Sequence, residues 1–245
     1  MISVRQLTKN LGSQTVLRGV DLEIERGQTC VVLGRSGSGK SVLLKHLIGL
    51  FQPTAGEVWI EGEEITRLPE RKLGGIRKKV GMLFQSGALF DSMNVEQNLG
   101  FPLREAGVKN EKEIRERVAE ALEMVDLAGE QKKMPEKLSG GMRKRVGLAR
   151  TIVGRPECIL YDEPTTGLDP IATDSINHLI RRLQKRLAVT SVVVTHDMKT
   201  AFHTADQIAF LHEGLIHFRG TGSELRASLD PVIADFIEGR SGESD

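Results

Sequence analysis

In Val20-Asp21-Leu22-Glu23-Ile24 the apolar residues fall at 20, 22 and 24, the period-two pattern of a strand with one buried face. Thr29–Leu33 runs without alternation and is rich in β-branched residues, as suits a strand covered on both faces. A helix is predicted over Ser41–Leu50, with Val42, Leu43, Leu44, Leu47 and Ile48 on a broad apolar face and Pro53 just past its end. Val58-Trp59-Ile60 and Val80–Phe84 read as further short strands. From about Gly87 to Gly154 the spacing turns helical. Ile114, Val118, Ala121, Leu122 and Val125 recur with a 3.6-residue period, and Gly141–Val153 forms a second helix. Ile159-Leu160-Tyr161 is then a buried strand, Ile176, Leu179, Ile180, Leu183 and Leu187 stripe a helix, and Thr190–Thr195 is another buried strand. Gln207–Leu211 and Leu215–Phe218, separated by His212-Glu213-Gly214, close as a hairpin. The tail from Ser223 is expected to be short and helical, with its last residues, Ser-Gly-Glu-Ser-Asp, disordered.

Strands alternating with helices imply a largely parallel sheet, so the expected fold class is α/β. Residues 1–86 and 155–222 would form the α/β core, residues 87–154 an inserted helical subdomain, and residues 223–245 a short C-terminal tail. A length of 245 residues suits one such domain. Lysine and arginine total 34 against 33 acidic residues, and aromatics make up 4%. That balance lacks the electrostatic footprint and the stacking platforms of a nucleic-acid binder, so no nucleic-acid partner is expected. The basic runs Arg77-Lys78-Lys79 and Arg143-Lys144-Arg145 are expected to be solvated helix faces. Cys30 and Cys158 lie in apolar runs without a CxxC partner, which points to buried, reduced thiols rather than a zinc site. No apolar stretch approaches the ~20 residues that span a bilayer, and the N-terminus lacks the pattern of a signal peptide. A cytoplasmic location follows, with any membrane role exercised through a partner.

The strongest chemical signal is Gly34-Arg35-Ser36-Gly37-Ser38-Gly39-Lys40-Ser41, the G-x4-G-K-S of a P-loop, set between a strand and a helix. Glycines let successive backbone N–H groups turn toward one phosphate chain, and the helix that follows points its positive dipole end at the same anion. Lys40 adds a point charge for the β- and γ-phosphates, and Ser41 offers a hydroxyl to Mg²⁺. Asp162 and Glu163 end a buried strand, where uncompensated carboxylates are costly. There Asp162 would hold Mg²⁺ and Glu163 would polarise an attacking water, as phosphoryl transfer requires. Leu138-Ser139-Gly140-Gly141-Met142 opens a helix and supplies a second anion-binding helix end. One phosphate does not need two such ends in one chain, but a site formed between two copies does. His196 ends the strand that precedes it, the position at which open parallel sheets bind ligands.

The order GRSGSGKS, Gln85, LSGGM, LYDEP, TGLDP and His196 resembles the nucleotide-binding domain of ABC transporters over essentially the whole chain. The resemblance implies a P-loop NTPase (RecA-like) core with a mainly parallel sheet, an N-terminal antiparallel β region and the inserted helical subdomain. It further implies ATP and Mg²⁺ as cofactors, ATP hydrolysis, and a head-to-tail dimer sandwiching ATP. Position by position, Gly34 to Ser41 with Val42 would bind nucleotide, and Ser41, Gln85 and Asp162 would serve the metal. Gln85 would also sense the permease, and Glu163 and His196 would act in catalysis. Ser139, Gly140 and Gly141 would reach the γ-phosphate of the opposite subunit, and Asp169 would lie at the dimer interface. The family usually places an aromatic residue against adenine where this chain has Leu11.

The string FQSGALF-x-x-MNV after Leu83, followed by Pro102-Leu103-Arg104, resembles the ATPases of Mla-type, MCE-associated phospholipid transporters, as do LSGGM and the ending Asp230-Pro231…Phe236-Ile237-Glu238-Gly239. That likeness implies an integral-membrane permease, MCE-domain and accessory subunits as partners, and a peripheral place on the cytoplasmic face of the inner membrane. An importer ATPase for polar solutes such as amino acids is the alternative, and a non-transport ABC ATPase is a third. Ala88, Leu89, Phe90 and Met93 either line a groove for a permease helix or belong to the subdomain core.

Overall fold

The computed structural model describes residues 1–240; the final Ser-Gly-Glu-Ser-Asp, expected to be disordered, lies outside the described residues. In chain order the elements are β1 (Ile2–Leu11), β2 (Gln14–Ile24), β3 (Thr29–Leu33), α1 (Lys40–His46), β4 (Ala55–Ile60), β5 (Glu63–Glu64), α2 (Glu70–Lys79) and β6 (Val80–Leu83). They continue with α3 (Val95–Glu105), α4 (Glu111–Met124), α5 (Gly140–Ile152), β7 (Cys158–Asp162), α6 (Pro170–Leu187) and β8 (Thr190–Thr195). The last are α7 (Met198–Thr204), β9 (Gln207–His212), β10 (Leu215–Gly220), α8 (Gly222–Arg226) and α9 (Pro231–Glu238). The chain divides into two compact units, Met1–Arg77 with the segment from Thr190 onward, and Lys78–Val189.

The first unit carries two sets of strands. An antiparallel sheet has the order β2-β1-β4-β5, and β2 buries Leu17, Val20, Leu22 and Ile24 on one face while its polar residues face out. Beside it, β3 pairs in parallel with both β8 and β9, and β10 pairs antiparallel with β9. Every residue of β3 and β8 is buried, which explains their unbroken β-branched runs.

The second unit pairs β6 in parallel with β7. The helices expected within 87–154 lie in this unit, together with β6, β7 and α6. α6 starts where Asp169 caps it, its carboxylate accepting from the Ile171 and Ala172 amides at 2.9 Å, with Pro170 at its first position. Such a cap contributes about 1 kcal/mol. Its stripe of Ile176, Leu179, Ile180 and Leu183 is buried.

Two local features differ from the sequence-based expectation. α1 is shorter than Ser41–Leu50 because Gly49, at φ +64°, closes it before Pro53. The Leu50 amide reaches back to the Lys45 carbonyl at 2.9 Å, and the Gly49 amide to that of His46 at 3.1 Å, the paired bonds of a Schellman ending. Arg77 is not on a solvated face. Its guanidinium donates to the Ile48 and Gly49 carbonyls at 3.2 Å each and pairs with Glu70. Both cysteines are buried and free, and burial pushes the Cys30 thiol up to about 12.

Candidate active site

The P-loop belongs to the first unit. β3 ends at Leu33 and the chain turns through Gly34–Gly39 into α1. A Cβ on Gly34 would stand 2.3 Å from the Leu211 carbonyl oxygen, so no larger residue fits. Gly39, the residue before α1, has φ +101°, a conformation open to glycine alone at little cost. Lys40 is 5% exposed, and its ammonium folds over the loop to donate to the Gly34 carbonyl at 2.9 Å and the Arg35 carbonyl at 3.0 Å. The buried Ser38 hydroxyl has no hydrogen-bond partner among the described residues, as befits a group that serves a ligand. Arg35, Ser36 and Gly37 are exposed, and Ser41 and Val42 are partly so. This donor set fits a polyphosphate.

The parallel register of β3 and β8 sets Leu33 opposite Thr195, so Gly34 and His196 leave adjacent strands at the same end. His196 is exposed there. The turn that carries it is held by the Thr195 hydroxyl, which accepts from the Asp197 amide at 3.0 Å, and by Asp197, which caps α7 through the Lys199 and Thr200 amides. Leu11, where an aromatic was looked for, is 45% exposed and pairs with Gln14 across the β1–β2 hairpin. Val16 of that hairpin packs on Gly39.

The second unit repeats the strand-end placement. Leu83 pairs with Tyr161, so Gln85 and the Asp162-Glu163 pair follow neighbouring strands at the same end. Asp162 is 8% and Glu163 9% exposed. Glu163 has φ +46°, and the Thr166 hydroxyl donates to its carboxylate at 3.2 Å. The residue that joins these strands' loops was missed in the sequence. Lys144 of α5 is 6% exposed, and its ammonium donates to the Gln85 carbonyl and, at 3.3 Å, to the Glu163 carbonyl. Burial pushes the Lys144 ammonium below its ordinary pKa, and the Asp162 and Glu163 charges oppose that shift. The run Arg143-Lys144-Arg145 is therefore not a solvated face. Lys144 could have been suspected because it lies three and four residues before Gly147 and Leu148, on the buried side of α5.

Past Gln85, α5 also holds the loop through Arg150, whose guanidinium donates to the Ala88 carbonyl at 2.8 Å and the Gly87 carbonyl at 3.1 Å. The buried Asn98 amide brackets the Phe90 backbone from both sides, at 2.8 and 3.1 Å. Phe90 nevertheless presents its ring outward, 42% exposed, edge-on to Phe101 at 5.1 Å. Ala88 is exposed, and Leu89 and Met93 are partly so. Ser139 caps α5, its hydroxyl accepting from the Met142 amide at 3.3 Å, and leaves itself and Gly140 exposed. Ser139, Gly141 and Asp169 line one open depression of about 680 Å³ with Arg145 and Ile171.

A family model described as ABC transporter matches residues 17–166, spanning the P-loop, Gln85, the Ser139 helix start and the Asp162-Glu163 strand. The chain belongs to the ABC transporter family. It is 44% identical over 239 residues to "Probable ribonucleotide transport ATP-binding protein mkl" of Mycobacterium leprae, covering 98% of this chain and 69% of that protein. It is 39% identical over 241 residues to "Intermembrane phospholipid transport system ATP-binding protein MlaF" of Haemophilus influenzae, covering 98% and 91%. Among solved structures, the dimeric post-hydrolysis state of the ATP-binding cassette MJ0796 bound to ADP and Pi superposes with a TM-score of 0.83 at 33% identity, covering 91% of this chain and 99% of that one. The α/β fold is accordingly that of an ABC ATPase cassette, and the chain is the ATP-binding, ATP-hydrolysing subunit of an ABC transporter. Among the described residues no helix is long and apolar enough to cross a membrane.

Proposed function

We propose that this ABC ATPase powers phospholipid movement through a separate permease, as a peripheral subunit on the cytoplasmic face of the inner membrane. The observation that carries the reading is the near full-length likeness to MlaF, 91% of which is matched, together with the FQSGALF-x-x-MNV string beside Gln85. MCE-domain and accessory subunits would complete the transporter, and the exposed Phe90 ring with Ala88 would meet the permease. The helical stretch 87–154, set in a core of 1–86 and 155–222, would carry that surface.

Gly34 to Ser41 and Val42 would cradle the phosphates, with Lys40 balancing their charge. Mg²⁺, held by Ser41, Gln85 and Asp162, would neutralise charge on the β- and γ-oxygens. Glu163 would accept a hydrogen bond from the attacking water and aim its oxygen in line with the γ-phosphorus, as the bond to the β,γ-bridging oxygen breaks. His196 would donate to the γ-phosphate. Ser139, Gly140 and Gly141 would complete the site of a second copy in a head-to-tail pair, with Asp169 at the interface.

The test is to capture the tagged chain from detergent-solubilised membranes and identify what comes with it. A permease together with an MCE-domain protein and bound phospholipid is the expected result. A soluble-solute receptor would support the polar-solute importer instead, and ribosomes or DNA a non-transport role. Either would overturn the lipid reading.

A further inference from the structure

We propose that Lys144 is a positioning residue for ATP hydrolysis, tying the backbones of Glu163 and Gln85 to the helix that begins at Ser139. The proposal rests on the reading of Glu163 as the group that orients the attacking water.

Lys144 bonds both strand-end loops at once, through the Gln85 and Glu163 carbonyls. Glu163 sits in a left-handed conformation, φ +46°, which a residue with a Cβ adopts only against steric resistance. A donor on its carbonyl helps hold that conformation and so fixes the direction in which its side chain leaves the backbone. Thr166 then holds the carboxylate itself. The same face of α5 fastens the rest of the Gln85 segment. Gly147 lies so close to Gly87 that an added Cβ would stand 3.1 Å from the Gly87 carbonyl oxygen, and Arg150 donates to Gly87 and Ala88. Residues 144, 147 and 150 are three apart and share that face. Lys144 extends the connection to Glu163.

A buried ammonium needs acceptors, and these two carbonyls supply them. Displacement of the Gln85–Phe90 segment, for example by a permease helix at Phe90, therefore pulls on the same ammonium that holds Glu163. The state of the permease reaches the water-orienting carboxylate through Lys144 and α5.

Lys144→Met keeps the aliphatic stem and removes the donors, whereas Lys144→Arg keeps the charge and donors. We expect Lys144→Met to lower kcat by about 10²-fold, the loss that misplacing a catalytic group by about 1 Å can cause. MgATP affinity should be unchanged, the protein should stay folded at the assay temperature with a modestly lower melting temperature because two carbonyls lose their donor, and Lys144→Arg should recover part of the turnover. If Lys144→Met does not fold, Lys144→Leu, which likewise has no donor, takes its place with the same expectation of lost kcat at unchanged affinity. Glu163→Gln is assayed in parallel. A folded Lys144→Met that hydrolyses at the wild-type rate while Glu163→Gln is inactive overturns the role of Lys144 alone. Near-normal turnover in Glu163→Gln overturns the reading of Glu163 on which it rests. A loss of kcat in Lys144→Met that only tracks lost nucleotide binding or lost folded protein also overturns the positioning role.

Discussion

The Lys40 ammonium donates to the carbonyl of Gly34, six residues earlier, at 2.9 Å. The same loop that glycine makes possible thus holds its own lysine in place and sets the charge over the loop.

Lys40→Ala is therefore expected to lose nucleotide binding while keeping an intact Ser139 helix start. Ser139→Arg is expected to bind ATP but to disable the site of its partner. Each variant alone should be nearly inactive. Mixed in equal amounts, half of the pairs contain one of each, and each mixed pair keeps one intact composite site. Turnover should then return to roughly a quarter of wild type if sites act independently. A mixture no more active than its separate components would contradict the head-to-tail pairing.

Phe90 is held by its backbone, through Asn98, rather than by burial of its ring. Phe90→Glu is expected to fold, melting within about 2 °C of wild type, as a surface substitution does. It should fail to co-purify with the permease. Melting curves and a pull-down from membranes check both halves. A Phe90→Glu chain that still binds the permease and supports transport would remove this surface from docking.

His46 is buried on α1. It contacts the Val42 carbonyl at 2.7 Å. Burial holds its pKa below the ordinary value of 6.5. Below that value the unfolded chain takes up a proton that the folded chain resists, so stability must fall as pH is lowered through this range. Comparing wild type with His46→Gln in thermal melts between about pH 7 and pH 5 isolates the effect. The wild-type melting temperature should drop more steeply on acidification. Parallel pH profiles would contradict the assignment.

Much of this architecture is legible in the sequence because its signals are local. Thr29–Leu33 and Thr190–Thr195 are strands at the bounds their apolar runs suggest, and the glycines around Lys40 announce their loop. The misses come from tertiary context. α2 contains Gly74 and Gly75 and has little helical propensity. It is fixed by burying Leu73 and Ile76 and by Arg77 capping the end of α1. α3 runs through Pro102, which reads as a breaker, because Val95, Leu99 and Leu103 form a buried stripe. In the site, the motif residues stood out by spacing, but Lys144 did not. A lysine between two arginines looks solvated until the carbonyls of Gln85 and Glu163, 59 and 19 residues away in sequence, are brought to it.

Hydrolysis turns on Glu163, and one variant tests that role most directly. Glu163→Gln preserves the shape of the side chain and removes its charge. Steady-state ATPase is measured alongside sizing with and without MgATP. Turnover is expected to fall by about 10²–10⁴-fold, the usual worth of a positioned base. ATP is expected to bind still, through the intact Lys40, Ser41 and Asp162, and to hold the pair closed because hydrolysis no longer reopens it. Near-normal turnover in Glu163→Gln, or a protein that stays monomeric with MgATP, would contradict the account and leave His196 as the main catalytic candidate.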